Sequence, residues 1–254
     1  MIDEMRQRLE TAARPWGVKP DVHPDDFIFD FLINNPVFDS QEHAIEYYFN
    51  DGANSARKLG SILQDICKLG AGSFSLLEFA SGYGCVSRHL GHVLPNCSLT
   101  VCDIHPEAVR FSEKVLGVEA IHSTSRPEDF PRDQQFDVVF ALSFFSHMPK
   151  TTFTRWLRTL ACLVGNPGFL LFTTHGLGSI VHIPQCEFDS DGYYFTPSSE
   201  QKDLDVQEYG TSLVKPEYVL SQIFGLVDCS LHHFHETYWW EHQDLYILRR
   251  GELN

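Results

Sequence analysis

The stretch Leu76-Leu77-Glu78-Phe79-Ala80-Ser81-Gly82-Tyr83-Gly84, with Asp103 ending the next apolar run, limits this chain more than any other feature. It reads as a buried strand, an acid at the strand's end, and a tight Gly-x-Gly turn. Glycine at both turn positions lets the backbone take φ > 0 and lets a ligand approach the main chain without meeting a Cβ. The second carboxylate follows about 20 residues on, the spacing of an acid that accepts hydrogen bonds from two ribose hydroxyls.

Two kinds of nucleotide cofactor use such an arrangement, and charge separates them. A dinucleotide asks for Gly-x-Gly-x-x-Gly, with its pyrophosphate on the following helix N-terminus. The third glycine position is Ser87 here, and Glu78 would face an anion across a partly desolvated cleft. S-adenosylmethionine (SAM) brings an ammonium and a sulfonium, so the same acid attracts it. The residues favour SAM over NAD.

The run Glu78-Phe-Ala-Ser-Gly82-Tyr-Gly84 resembles motif I of the class I SAM-dependent methyltransferases, and Val101-Cys-Asp103-Ile-His-Pro-Glu-Ala-Val109 resembles their second-strand motif. Phe136-Asp137-Val-Val-Phe-Ala-Leu-Ser143 is similar to their fourth strand, and Pro167-Gly-Phe-Leu-Leu-Phe-Thr-Thr-His175 to their fifth. The resemblance spans roughly Phe74 to Thr174. It implies an α/β fold: a Rossmann-like, seven-stranded, mostly parallel sheet with an antiparallel C-terminal hairpin, helices on both faces and a helical N-terminal extension.

It also implies the cofactor contacts. Glu78 faces the methionine ammonium, Ala80, Ser81, Gly82 and Gly84 pass close to the methionyl and ribose parts, and Asp103 holds the ribose hydroxyls. Ile104 packs on adenine. The acid that the family often sets against the adenine amine falls near Ser125, a departure for which Ser123 or Asp129 could substitute. Leu142 and Ser143 lie beneath the methionyl group; Tyr48 and Arg57 are expected, from their position on the N-terminal helices and not from the resemblance, to close over its carboxylate.

Composition narrows the partners. Lys and Arg number 19 against 34 Asp and Glu, a formal net charge of −15, so the basic footprint of a nucleic-acid or anionic-membrane binder is missing. No apolar run is long enough to span a bilayer, and Met-Ile-Asp-Glu-Met-Arg lacks a signal-peptide pattern, which leads to the expectation of a cytoplasmic protein. Seven scattered cysteines without a Cys-x-x-Cys pair read as reduced thiols, with Cys102 on a core strand, Cys162 on a core helix and Cys85 beneath the glycine turn.

Residues 1–70 read as a helical N-terminal lid, with helices over 3–13 and 25–32 and a third from Ser40 that Asn50-Asp51-Gly52 interrupts before it resumes over 53–69. Residues 71–254 read as the SAM-binding domain. Strands are expected near 74–79, 98–103, 118–122, 136–142 and 168–174, and helices near 84–93, 106–116 and 151–164. Phe153, Trp156, Leu157, Leu160, Leu163 and Val164 make one apolar stripe on the last helix, which Asn166-Pro167-Gly168 ends. Residues 176–212 are too long for a plain connection and read as a substrate cap with a small hairpin. A helix from Pro216 to Phe224 and β-runs over 227–237 and 243–248 finish the chain.

Displacement at a sulfonium needs positioning and dryness more than a fixed catalytic group. His175, past the fifth strand, is the better candidate base; His147, after the fourth, reads first as a loop-shaping residue. In His232-His233-Phe234-His235 only His233 and His235 share a strand face, so no metal site is expected. Tyr238-Trp239-Trp240, at the turn of the last hairpin, either walls an aromatic acceptor pocket or caps the sheet edge, with the cap favoured. The expected activity is methyl transfer to an oxygen or nitrogen of a small organic molecule. The alternatives are a catalytically silent SAM-binding scaffold or sensor and, behind it, an NAD-dependent oxidoreductase.

Overall fold

The computed structural model describes residues 2–69, 72–199, 201 and 203–251. The ends of the expected N-terminal lid, at residues 1 and 70, and two positions of the expected cap, 200 and 202, lie outside them. The chain divides into two compact units, Met1–Ser123 and Thr124–Asn254.

The first unit begins with three helices, α1 (Ile2–Ala13), α2 (Phe27–Ile33) and α3 (Gln41–Asp65). Asp26 caps α2 by accepting from the Phe29 amide, and Ser40 caps α3 by accepting from His43. The break expected at Asn50-Asp51-Gly52 does not occur, because α3 runs straight through it. A Cβ on Gly52 would stand 2.1 Å from the Cys85 carbonyl oxygen, so this glycine serves close packing of the helix and not a turn. Asn50 likewise spends its side chain on a tertiary bond, accepting from the Trp16 indole at 3.1 Å.

After α3 the chain enters β1 (Phe74–Phe79), the glycine turn, α4 (Ser87–Val93), β2 (Cys97–Asp103), α5 (Pro106–Phe111) and β3 (Glu119–His122). The three strands are parallel in the order β3-β2-β1. Helix α4 starts three residues later than its pattern suggests, since Gly82 and Gly84 hold φ of 56° and 78°.

The second unit holds β4 (Phe136–Ala141), α6 (Lys150–Leu163), β5 (Val164–His175), β6 (Tyr193–Thr196), β7 (Thr211–Val214), α7 (Pro216–Ile223), β8 (Cys229–Trp239) and β9 (Gln243–Arg250). Seven strands make one sheet in the order β3-β2-β1-β4-β5-β9-β8, and β6 pairs with β7 apart from it. Strands β4 and β5 run parallel; β9 is antiparallel to both β5 and β8. Asn166-Pro167-Gly168 does not separate helix from strand. It sits inside β5, next to the register shift between Phe136 and Val138 on the paired strand.

The expected stripe on α6 is buried, and Phe140, Phe145, Phe153, Phe172, Trp239 and Tyr246 fill the core of this unit. Each such ring contributes about 2 kcal/mol by leaving water. Trp239 closes the end of β8 against Phe140 at 5.6 Å between ring centroids. Cys162 is exposed, against the expectation of a core thiol, because it falls on the face of α6 opposite the stripe. All seven cysteines are free. Among the described residues no helix is long and apolar enough to cross a membrane, and no group of three or more His, Cys, Asp or Glu could hold a metal ion.

Candidate functional site

In the first unit, the glycine turn and the end of β2 form one hydrogen-bonded cradle. Ala80 takes φ 58°, unusual for a residue with a Cβ, and Gly82 follows at 56°. The Gly82 amide donates to Asp103 Oδ2 at 2.8 Å. Nothing lies within 4 Å of where a Cβ on Gly82 would stand, whereas one on Gly84 would meet Leu116 at 2.2 Å. The two glycines therefore do different work: Gly82 faces open space and Gly84 is packed from below.

Asp103 is 6% exposed. Its Oδ1 accepts from the His105 amide at 2.9 Å and meets the His105 ring Nδ1 at 2.8 Å. A carboxylate offers about four acceptor positions, so part of its capacity remains for ribose hydroxyls and the second of them has to share with the His105 ring. Ile104 is half-buried beside it, its carbonyl held 2.9 Å from His122 Nε2.

Glu78 is buried and accepts from Ser87 Oγ at 2.5 Å. Burial pushes its carboxyl up to about 7, the Ser87 hydroxyl pulls it back, and Asp103 adds to the rise. Among the described residues this acid has no cationic partner, and a ligand ammonium would supply one. Ser87, the residue in the third glycine position, thus belongs to the acid's own hydrogen-bond shell. The open face of Gly82 together with this unneutralised acid fits SAM.

Tyr48 and Arg57 are placed differently from their expected role. Tyr48 is fully buried, donating to Asp26 Oδ2 at 2.7 Å, and Arg57 lies over the Trp16 ring at 4.6 Å. Helix α3 turns these side chains into the core and along the α1 end.

In the second unit, the carboxyl ends of β4 and β5 carry a separate constellation. Ser143 is held at φ 59° by a closed ring of polar contacts. Its amide donates to Thr173 Oγ1 at 2.8 Å, Thr173 donates to Gln243 Oε1 at 2.7 Å, and Gln243 Nε2 returns to Ser143 Oγ at 2.9 Å. Leu142 before it is half-buried. His147 is stacked on Tyr209, 4.4 Å apart and 9° from parallel. Its Nδ1 meets the Gly210 carbonyl at 2.8 Å, and the Gly210 amide donates back to the His147 carbonyl at 2.9 Å.

His175 stands 6.4 Å from His147 and 5.6 Å from His242, centroid to centroid. Burial first, then these two imidazoles, push its pKa down to about 3, so it is neutral at physiological pH. The segment 176–212 is tied to the same loop. Tyr193 donates to the Met148 carbonyl at 2.6 Å and Ser212 Oγ to the Phe145 carbonyl at 3.0 Å. Its strand β6 pairs antiparallel with β7, which runs on to Val214. Ser125 is exposed at a bend, and Asp129 is an exposed partner of Arg126.

Residues 77–170 match the family described as methyltransferase domain. No curated protein matches the chain in sequence. Solved structures with the same fold include the plantazolicin methyltransferase BpumL in complex with a pentazolic desmethylPZN analog and S-adenosylhomocysteine (SAH). It is 15% identical, with a TM-score of 0.58 over 99% of this chain and 98% of that one. The magnesium protoporphyrin IX methyltransferase ChlM from Synechocystis, with bound SAH, is 12% identical at a TM-score of 0.56 over 98% and 97%. A SAM-dependent methyltransferase from Clostridium acetobutylicum gives 12% and 0.56 over 78% and 92%. The chain thus has the fold of these SAM-dependent methyltransferases, with its match to the methyltransferase domain family falling on residues 77–170.

The sequence pattern marks the glycine turn and Asp103 but not Arg88, His105 or the Thr173–Gln243 pair. Arg88 carried one readable signal: Ser87, Arg88 and His89 put three polar residues in a row at the start of a short helix, and all are buried. Gln243 carried none, because it reaches Ser143 from 100 residues away.

Proposed function

We propose that this chain transfers the methyl group of SAM to an oxygen or nitrogen of a small organic molecule. The observation that carries the reading is Gly82: left-handed, open on its Cβ side, bonded to Asp103 and set beside a buried, proton-holding Glu78. SAM, when bound, supplies an electrophilic methyl on a sulfonium.

This chain's residues supply the rest. Glu78 meets the ammonium, and in doing so gives up the proton that burial makes it keep. Ala80, Ser81, Gly82 and Gly84 give a backbone without side-chain bulk for the methionyl and ribose parts, Asp103 takes the ribose hydroxyls, and Ile104 offers apolar surface to adenine. Leu142 and the immobilised Ser143 serve the methionyl end. Ser123, buried after β3 with its amide on the Asp103 carbonyl at 2.8 Å, suits the adenine side better than the exposed Ser125. The small-molecule acceptor falls to the cap over 176–212, with His175 as its polar contact and His147 as the residue that holds the cap's Gly210.

A neutral imidazole with so low a pKa is a weak general base. His175 therefore orients the acceptor and takes its proton only as the new bond forms. The same observation favours a second reading, a SAM-binding module without turnover. Calorimetric titration with SAM, SAH and NAD, repeated on Asp103→Ala, tests the cofactor. Micromolar binding of the first two, lost in the variant, supports the proposal, and binding of NAD alone overturns it. Methyl transfer from labelled SAM in an acceptor screen then separates enzyme from silent module.

A further inference from the structure

Arg88 is a buried cation, 7% exposed, at the start of α4. Among the described residues no carboxylate touches it, and its donors meet uncharged oxygens. Its Nε donates to the Gly84 carbonyl at 2.9 Å and one Nη2 bond goes to the Tyr83 carbonyl at 3.4 Å, so it grips the glycine turn from behind. Its Nη1 donates to the carbonyls of Lys19 and Asp21, both at 3.0 Å, and Nη2 also reaches Tyr48 Oη at 3.2 Å. All five guanidinium donors are thereby used, a fork geometry that lysine cannot reproduce.

The segment it grips lacks regular backbone pairing and is held by side chains, with Val18 and Val22 packed on the core around Tyr48 and Phe49. Residues 18–23 belong to no helix or strand, so their carbonyls depend on such partners. The segment also covers the cofactor-side residues. His23 stacks on Tyr83 at 4.7 Å and 14°, and Phe27 lies 5.3 Å from His105, the residue that holds Asp103. The Lys19 ammonium donates to the Val115 carbonyl, next to the Leu116 that packs under Gly84. At the far end Asp26 caps α2 and accepts from Tyr48, whose hydroxyl joins it to Arg88.

We propose that Arg88 is a positioning residue that ties residues 19–26 to the glycine turn, so that cofactor binding at the turn and ordering of this segment are one event. The inference rests on the SAM reading above. It assigns the role of cofactor strap to residues 19–26, fastened from α4, in place of the expected closure by Tyr48 and Arg57.

The test combines SAH calorimetry with hydrogen exchange of the backbone amides of residues 18–27, on the full chain well below its unfolding temperature. In the wild type, SAH slows exchange of these amides. Arg88→Lys weakens SAH by about tenfold and abolishes that protection, because the charge remains but the fork is lost. Tyr48→Phe, which keeps the packing and removes only the bridging hydroxyl, weakens SAH by about threefold with partial loss of protection. Leu160→Ala on α6, a destabilising control in the core of the second unit, lowers the unfolding midpoint and leaves both readouts unchanged.

SAH affinity within about twofold of wild type in a folded Arg88→Lys, with protection intact, overturns the proposal. If Arg88→Lys does not fold, wild-type affinity and protection in Tyr48→Phe overturn it equally. A wild type that binds no SAH overturns instead the cofactor reading on which it rests.

Discussion

Around the glycine turn the chain buries acids, Glu78, Asp103 and Asp26, whereas at the carboxyl ends of β4 and β5 it gathers imidazoles, His175 with His147 and His242 beside it. Burial raises the Glu78 and Asp26 carboxyls and lowers His175, so in both regions it works against the charged form. The difference lies in what each awaits. A buried acid suits a cationic ligand, such as the SAM proposed above. A neutral imidazole in an aromatic surround suits an uncharged group. The first region is written as a motif and the second as a tertiary assembly.

Opposite pH dependence is the largest expected consequence. Glu78 keeps its proton in the fold, so its contribution to stability is present below about pH 4.5 and lost as pH rises through about 7, roughly 3 kcal/mol in all. Glu78→Gln should flatten this loss in denaturant midpoints measured across that range, and SAH should flatten it in the wild type. Asp244, raised to about 6 by burial, adds a slope of the same sign that neither change removes. His175 behaves the other way: stability is lost as pH falls from about 6.5 towards about 3. His175→Gln should remove that acid-side loss and leave the alkaline side as it was. If the two variants shift the curve in the same direction, the comparison breaks.

Ligand affinity sharpens it next. Asp103→Ala should weaken SAH by about a hundredfold, since charge-assisted hydrogen bonds and the Gly82 anchor go together. His175→Ala should leave SAH affinity within about twofold and lower turnover alone. A smaller effect is expected at the turn itself. Gly82→Ala puts a Cβ at φ 56° into open space, costing about 1 kcal/mol of stability and about tenfold in SAH affinity, because the ligand's approach is blocked. The smallest belongs to His147→Ala. It should cost about 1 kcal/mol or less, with faster proteolysis of the 176–212 segment, by releasing Gly210.

The order of strands and helices through the central region was readable from local pattern: apolar runs of strand length, the α6 stripe, and carboxylates at strand ends. The start and cap of α3 were equally readable in Ser40. Its continuity through Gly52 was not, because the reason for that glycine is the Cys85 carbonyl, 33 residues away. The same holds for Tyr48, whose place on α3 said nothing of Asp26 and Arg88 on other elements.

By itself, then, the sequence determined the cofactor cradle, since φ > 0, strand-end acids and a fixed spacing are local demands that only certain residues meet. Tertiary structure alone decided how the cradle is strapped by residues 19–26, how Ser143 is immobilised by Thr173 and Gln243, and why His175 is neutral. Each of those depends on a buried polar group finding partners far along the chain. Burial raises the cost of an unpaired group, but no local pattern says which distant residue will satisfy it.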